Sequence, residues 1–287
     1  MDKRDFKVAM NKVFLTIIGV LLLVSCNPSG SKKEPSNNNA TNERAMPVAK
    51  VRKPLSFSGT FYQITNVGSA NIVFTEGDYS IEAEAPENIF NVVNVNVDSN
   101  VLTVSIENEG TLGLDRFSGS SQITLYVSCP SLQLLAVCGT GNFQSVGTIH
   151  NDNMHVGCLG AGSIDLDTVM TTGLFKYEST GDGNAVFRHI HTTQECKLLL
   201  SGVGNTTADV DVADRLLVQN DFTGNVSVSG KAKVAELTLL EKSNCIAAFD
   251  ADCLNLTALR GDVVLKGKYK QKNVHQGKHA KVTYENK

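Results

Sequence analysis

Four carboxylates and two imidazoles are the side chains of this sequence whose types and spacing best suit chemistry. Asp165 and Asp167 alternate along one run, and Asp209 and Asp211 repeat the spacing further on. Two acids held across a cleft can break a glycosidic bond, one donating a proton while the other activates water, and a Ca²⁺ site beside a basic residue can do related lyase chemistry. His189 and His191 form a His-x-His that could touch a metal, yet no third ligand is apparent. Gly-x-Gly elements recur from Gly139 to Gly204. A phosphate-binding loop would need a helix behind each of them, and none is indicated. Whether the acids can converge depends on the elements that carry them.

Those elements are set by a period. A polar mark, usually Asn behind Gly and ahead of a short apolar run, falls at Asn142, Ser163, Asn184, Asn205, Asn225, Asn244 and Asp262, at intervals of 21, 21, 21, 20, 19 and 18 residues. A beat near 20 over seven turns predicts a solenoid, in which each repeat buries its apolar face only by stacking on its neighbours. One residue after each mark stand Phe143, Ile164, Ala185, Thr206, Val226, Cys245 and Val263; three after stand Ser145, Leu166, Phe187, Ala208, Val228, Ala247 and Leu265. Alternation with period two puts both columns on one side of a strand. A second ladder precedes the marks, with Leu135, Val156, Tyr177, Leu198, Val218 and Leu237 in one column and Met154, Phe175, Cys196 and Leu216 in another. In the last turn the phase slips by one, onto Leu254 and Leu256. The expected architecture is therefore an all-β parallel β-helix with coils of about 18–21 residues, narrowing toward the C-terminus as the interval shrinks. The marks and their glycines are structural corners, where Gly and Asn enter positive φ at least cost and stacked Asn side chains hydrogen-bond along the axis.

Around this core the chain divides further. A basic stretch (Lys3, Arg4, Lys7, Lys12) precedes the apolar run 13–24, too short for a comfortable membrane span, and the run ends in Leu23-Val24-Ser25-Cys26. That tetrapeptide resembles the bacterial lipobox, so residues 1–26 read as a lipoprotein signal peptide and Cys26 as the lipidation site. Residues 27–54 are rich in Ser, Asn, Pro and Lys and read as a flexible tether. Residues 55–135 hold short alternating runs between turn signals at Glu76-Gly77-Asp78 and Asp98-Ser99-Asn100, which suits antiparallel hairpins or irregular first coils that cap the open edge. Residues 136–275 carry the β-helix repeats, and 276–287 a basic tail; Lys266–Lys287 holds seven Lys against one Glu. That basic end discourages edge pairing and reads as a solvated terminal strand rather than a contact for membrane or polyanion. Of the six other cysteines, Cys158, Cys196, Cys245 and Cys253 occupy interior positions of the repeat, which favours buried thiols over disulfides; Cys129 and Cys138 complete the set, and no Cys-x-x-Cys suggests zinc.

The opening strand Phe61–Ile64, the Asn71-Ile72-Val73 strand followed by Glu76-Gly77, the Val101–Val104 strand, Pro130-Ser131-Leu132 and the Gly-x-Gly-Asn turns beginning at Gly139 together resemble the putative auto-transporter adhesin head, GIN domain, family. The resemblance covers about residues 57–275. It implies a right-handed parallel β-helix in an envelope lipoprotein with an adhesin role, and supplies no catalytic residues. If the coils are about 4.8 Å apart, Asp165 and Asp167 sit roughly 10 Å from Asp209 and Asp211. Solvated turn acids explain these residues better than an inverting pair does. The preferred function is a non-enzymatic binding or structural head, attached through its N-terminal lipid to the cell envelope, with the outer membrane as the expected location and a glycan or a host or cell-surface protein as the expected partner. A β-helical polysaccharide lyase or hydrolase using the four acids is the alternative. A net charge of −3 without a basic face along the repeats gives no reason to expect nucleic acid, and no cofactor is called for.

Overall fold

The computed structural model describes residues 49–106 and 123–285. In chain order its strands are β1 (Lys50–Pro54), β2 (Gln63–Asn66), β3 (Asn71–Glu76), β4 (Ser80–Pro86), β5 (Val93–Asp98), β6 (Val101–Ile106), β7 (Thr124–Cys129), β8 (Leu134–Val137), β9 (Phe143–Ser145), β10 (Thr148–Asn151), β11 (Met154–Cys158), β12 (Ile164–Thr171), β13 (Leu174–Ser179), β14 (Ala185–Thr192), β15 (Glu195–Leu200), β16 (Thr206–Asn220), β17 (Val226–Leu239), β18 (Asn244–Leu265) and β19 (Tyr269–Tyr284). A single 3₁₀ turn, Glu87–Val92, lies between β4 and β5.

Successive coils pair in parallel. One stack runs β8, β11, β13, β15 and then the second part of β16, and a second runs β9, β12, β14 and the first part of β16. From β16 onward each coil is one long bent strand laid against the next, through β17 and β18 to β19. The result is the expected β-solenoid, of about eight turns.

The interior is the set of columns that alternation implies. Every residue one and three places after the first six marks is buried, including the polar Thr206 and Ser145, and so are Leu135, Val156, Tyr177, Leu198, Val218 and Leu237. Phe187 meets Phe175 and Tyr177 edge to face, at centroid distances of 5.4 and 4.8 Å. Burial of each such side chain contributes about 1.5–3 kcal/mol, and only a stacked neighbour supplies that burial.

The narrowing has definite locations. β12 and β14 pair at an offset of 21 residues throughout. Between Phe187 and Ile190 the register slips, so that Ala185 faces Thr206 but Ile190 faces Val210. A second slip, between Val212 and Arg215, leaves Arg215 opposite Val234, and by Ala251↔Tyr269 the offset is 18. One residue returns after Ala258, where Arg260 faces His279.

Two segment assignments change, and a third is sharpened. Lys50–Pro54, read as the end of the tether, is strand β1 and pairs antiparallel with β4 from Lys50↔Pro86 to Pro54↔Glu82. The stretch 55–135, read as antiparallel hairpins or irregular first coils, holds both: β2 and β3 form a full layer of the stack, β2 between β6 and β8 and β3 between β7 and β9. The antiparallel strands sit outside them, with β5 on β6, β4 on β7 and β1 on β4. At the other end, residues 276–284 belong to β19 and stay paired to β18 as far as Leu265↔Tyr284, so they are strand rather than tail. Cys253 is only half-buried, because the phase slip hands the inward position to Leu254.

The corner glycines serve a different purpose from the one the sequence suggests. Positive φ among glycines occurs only at Gly59, Gly147, Gly230 and Gly261 of the described residues, so of the corner glycines only the last needs it. A Cβ on Gly141, Gly162, Gly183 or Gly204 would instead stand 2.0–2.1 Å from a carbonyl oxygen of the preceding coil. The corners are glycine because the backbones stack there without room for a side chain.

Candidate functional site

The marks themselves form a hydrogen-bonded column on the outside. The backbone N–H of Asn142 donates to Asn71 Oδ1 at 3.0 Å, that of Ser163 to Asn142 Oδ1 at 2.9 Å, and that of Asn205 to Asn184 Oδ1 at 2.8 Å. Asn184 N–H reaches Ser163 Oγ at 3.3 Å, and the series continues through Asn225 and Asn244, each donating at 3.1 Å to the mark before it. Side chain to backbone is the rule; Asn225 Nδ2 to Asn205 Oδ1, at 3.0 Å, is the amide-to-amide case. Asn71 is thus the first rung, 71 residues before its partner. Asp262 is not a rung, since its N–H donates to the Ser243 carbonyl.

Inside the corner two buried amides stand in a mainly apolar column. Asn66 and Asn220 are fully buried, and each amide Nδ2 donates to the carbonyl four residues on, Ala70 at 2.7 Å and Gly224 at 2.5 Å. They share their column with Val137, Cys158, Ser179, Leu200, Leu239 and Ala258, so a polar residue there leaves only a weak signal in the sequence. Both amides satisfy carbonyls that the turn withdraws from the strand ladder.

Each of the four acids has its own partner. Asp165 Oδ2 lies 2.6 Å from the Arg188 guanidinium of the next coil. Asp167 Oδ2 accepts from the Gly147 N–H at 3.0 Å. Asp209 faces His189 Nδ1 at 3.1 Å and accepts from Ser229 Oγ at 2.7 Å. Asp211 lies 3.4 Å from His191 Nδ1 and 3.2 Å from Lys231 Nζ. The His-x-His is therefore occupied by two carboxylates of the following coil. Among the described residues no group of three or more His, Cys, Asp or Glu is gathered to hold a metal. Exposed pairs of this kind are each worth about 0–1 kcal/mol, so the column serves as a surface of alternating charge more than as a source of stability.

A second lateral face carries the imidazole that sequence reasoning passed over. His155 is buried, with its Nε2 2.6 Å from Glu178 Oε2, while Lys176 Nζ lies 2.7 Å from the other carboxylate oxygen. Burial alone would raise the Glu178 carboxyl, but the hydrogen bonds and charges of His155 and Lys176 outweigh it and hold it at about 2. Further along, Glu195 faces Lys197 at 2.9 Å and Arg215 at 3.5 Å, and Arg215 in turn reaches Glu236. His155 falls in the column of Lys176 and Lys197, but its coil offers it cover that theirs do not.

The six cysteines are free thiols, with Cys129, Cys158, Cys196 and Cys245 buried. Burial pushes Cys158 up to about 11 and Cys245 up to about 12, which keeps both in the inert, protonated form at neutral pH. Cys26 and residues 27–48 lie outside the described residues.

Residues 60–188 match the family described as putative auto-transporter adhesin, head GIN domain. No curated protein matches the chain at a significant level. Among solved structures, a putative adhesin from Parabacteroides distasonis is 16% identical with a TM-score of 0.59, over 83% of this chain and 98% of that one. A putative adhesin from Bacteroides fragilis is 16% identical with a TM-score of 0.54, over 83% and 97% of the two chains. A putative lipid binding protein from Parabacteroides distasonis is 17% identical with a TM-score of 0.50, over 81% and 96%. At these identities the likeness is one of fold.

Proposed function

We propose that this chain, whose residues 60–188 match the adhesin-head GIN domain family, is a non-enzymatic binding head of the cell envelope. The family match carries the reading. The lateral faces support it, because each of the four acids is already engaged within its own or a neighbouring coil, and the surface they make is long and mixed in charge. Recognition on such a surface works by area and complementarity rather than by a few converging groups. In this proposal residues 1–26 are removed, Cys26 carries the lipid, residues 27–49 hold the head away from the outer membrane, and the ligand is a glycan or a host or cell-surface protein.

Three measurements divide the proposal. Metabolic labelling with an alkynyl fatty acid should mark the wild-type protein and not Cys26→Ala, which should leave the membrane fraction; label retained by the variant removes the lipid anchor. Protease treatment of intact cells should cleave the head, whereas full protection places it on the periplasmic side and ends the adhesin reading. Purified head should bind members of a glycan or matrix-protein array without turning over a polysaccharide panel; turnover abolished by Asp165→Asn or Asp209→Asn would establish the carbohydrate-active enzyme instead.

A further inference from the structure

The two ends of the coil stack are finished differently. At the N-terminal end the outermost parallel layer, β6 and β7, is covered by antiparallel strands, and the outer edge strand β1 is five residues long. At the C-terminal end β19 pairs with β18 and with no other described strand, over a length of 16 residues. Its far edge is a row of backbone N–H and C=O groups, a template for one more strand.

The interior behind that edge is already closed. Positions that hold Leu254 and Leu265 in β18 hold Lys272 and Tyr284 in β19. Lys272 Nζ sits 4.1 Å over the Tyr284 ring, so the two side chains lie together across the end of the core. Gln276 Nε2 donates to the Ala280 carbonyl at 2.8 Å. What remains to be satisfied is backbone, not an apolar pocket.

Charge selects among possible occupants. Residues 55–265 contain 9 Lys and Arg against 24 Asp and Glu, a net of −15, whereas residues 266–287 contain 7 Lys and one Glu, a net of +6. Lys270 and Lys266 are engaged by Asp252 and Glu285, at 2.7 and 2.9 Å, while Lys268, Lys278 and Lys281 are exposed. A recess of about 500 Å³ lined by Lys242, Arg260 and His279 together with Asp262 lies beside one part of the strand. A second, of about 450 Å³, is lined by Lys231, Lys268 and Lys270 with Asp250 and Asp252 beside another. A second copy pairing through its own β19 would set lysine against lysine. The chain's own residues 27–49, with three basic and two acidic residues, are not acidic either.

We infer that the free edge of β19 is a strand-addition site for an extended, acidic polypeptide segment. Backbone hydrogen bonds along the edge supply affinity, and the exposed lysines restrict it to acidic partners while discouraging self-association. The inference deepens the binding-head proposal by giving one partner class and rests on it only for the biological setting.

The test uses the purified protein and a fluorescein-labelled (Glu-Val)₆ peptide, followed by anisotropy. The peptide should bind saturably. The same peptide with alternate amides N-methylated, which keeps the charge and removes the strand edge, should bind at least tenfold more weakly, and (Lys-Val)₆ should not bind. The triple variant Lys268→Glu/Lys278→Glu/Lys281→Glu should also lose at least tenfold. On adding (Glu-Val)₆, hydrogen exchange should slow at β19 amides. No saturable binding overturns the inference, as does protection located elsewhere. So does equal binding of the N-methylated peptide or full competition by polygalacturonate, either of which reduces the surface to a polyanion attractor. Because the N-methylated arm uses wild-type protein, a misfolded triple variant leaves the test intact. Array binding by the head and peptide binding by β19 are separate readouts, so either reading can fail while the other stands.

Discussion

Replacing Gly183 by Ala tests why glycine recurs at the corners. The new Cβ would stand 2.1 Å from the Gly162 carbonyl oxygen and 2.9 Å from Cys158 Sγ. Ordinary contact begins near 3.4 Å, so the two coils must part by more than 1 Å at a point where both surfaces are backbone. Such a displacement weakens the bonds from Asp182 and Gly183 N–H to the Gly160 carbonyl, at 3.1 and 3.2 Å, and the Asn184 rung at 3.3 Å. Three backbone bonds at about 1 kcal/mol each, with some loosening of the columns at Ala185 and Phe187, give an expected loss of about 3–5 kcal/mol. Two controls separate close approach from backbone conformation. Gly77→Ala meets no atom within 4 Å and has no positive φ, so it should be neutral or stabilising by about 0.4–1 kcal/mol. Gly147→Ala also meets open space but sits at φ +79°, so it should lose about 1–2 kcal/mol. Urea unfolding followed by far-UV circular dichroism measures all three, with unchanged slopes as the check that the same structure is melting. If Gly183→Ala costs no more than Gly147→Ala, the stacked backbones make room for a methyl group at little cost, and the stacking argument is wrong.

The remaining predictions use the same unfolding assay. Asn205→Ala removes the acceptor for both the N–H and the side-chain amide of Asn225, at 3.1 and 3.0 Å, and should cost about 1 kcal/mol; no loss would mean that water replaces the rung. Phe187→Ala removes a buried ring between Phe175 and Tyr177 and should cost about 3–5 kcal/mol; a loss below 1 kcal/mol would show that the interior collapses freely there. Glu178 is held at about 2 in the folded protein against about 4.3 when unfolded, so its contribution is complete above about pH 4.5 and fades as pH falls toward 2. Glu178→Gln should therefore lower stability at pH 7, by up to about 3 kcal/mol, and flatten the acid limb between pH 4.5 and 2; an unchanged limb would show that His155 and Lys176 do not hold the carboxylate.

What the sequence made legible was whatever repeats. Alternation gave the inward columns, and the shrinking interval gave the narrowing, because both are properties of one coil copied onto the next. What it hid depends on pairing between distant segments. Asn71 rungs onto Asn142, and β2 sits between β6 and β8, across intervals that no period of 18–21 residues contains. Gly68-Ser69-Ala70-Asn71-Ile72 has the form of a mark, but no period places its layer, since the chain completes β2 and β3, leaves to build the cap, and returns through β6 and β7 on their far side. The corner glycines were located correctly and explained wrongly, because positive φ is a property of one residue and close stacking is a property of two coils.

The candidate site shows the same limit on the outside of the solenoid. Counting from the marks, Asp209 should face Arg188 and Asp211 should face Ile190, each sharing its offset with the residue above. The one-residue slip between Phe187 and Ile190 moves the whole following strand, so Asp209 meets His189 and Asp211 meets His191. Arg188 is left to reach back to Asp165. The core absorbs the slip without a trace in its pattern, because one apolar side chain replaces another in the column. On the surface the same slip exchanges a guanidinium for an imidazole opposite a carboxylate. A solenoid can thus change the chemistry of its face by deleting one residue between two marks, leaving the marks in register.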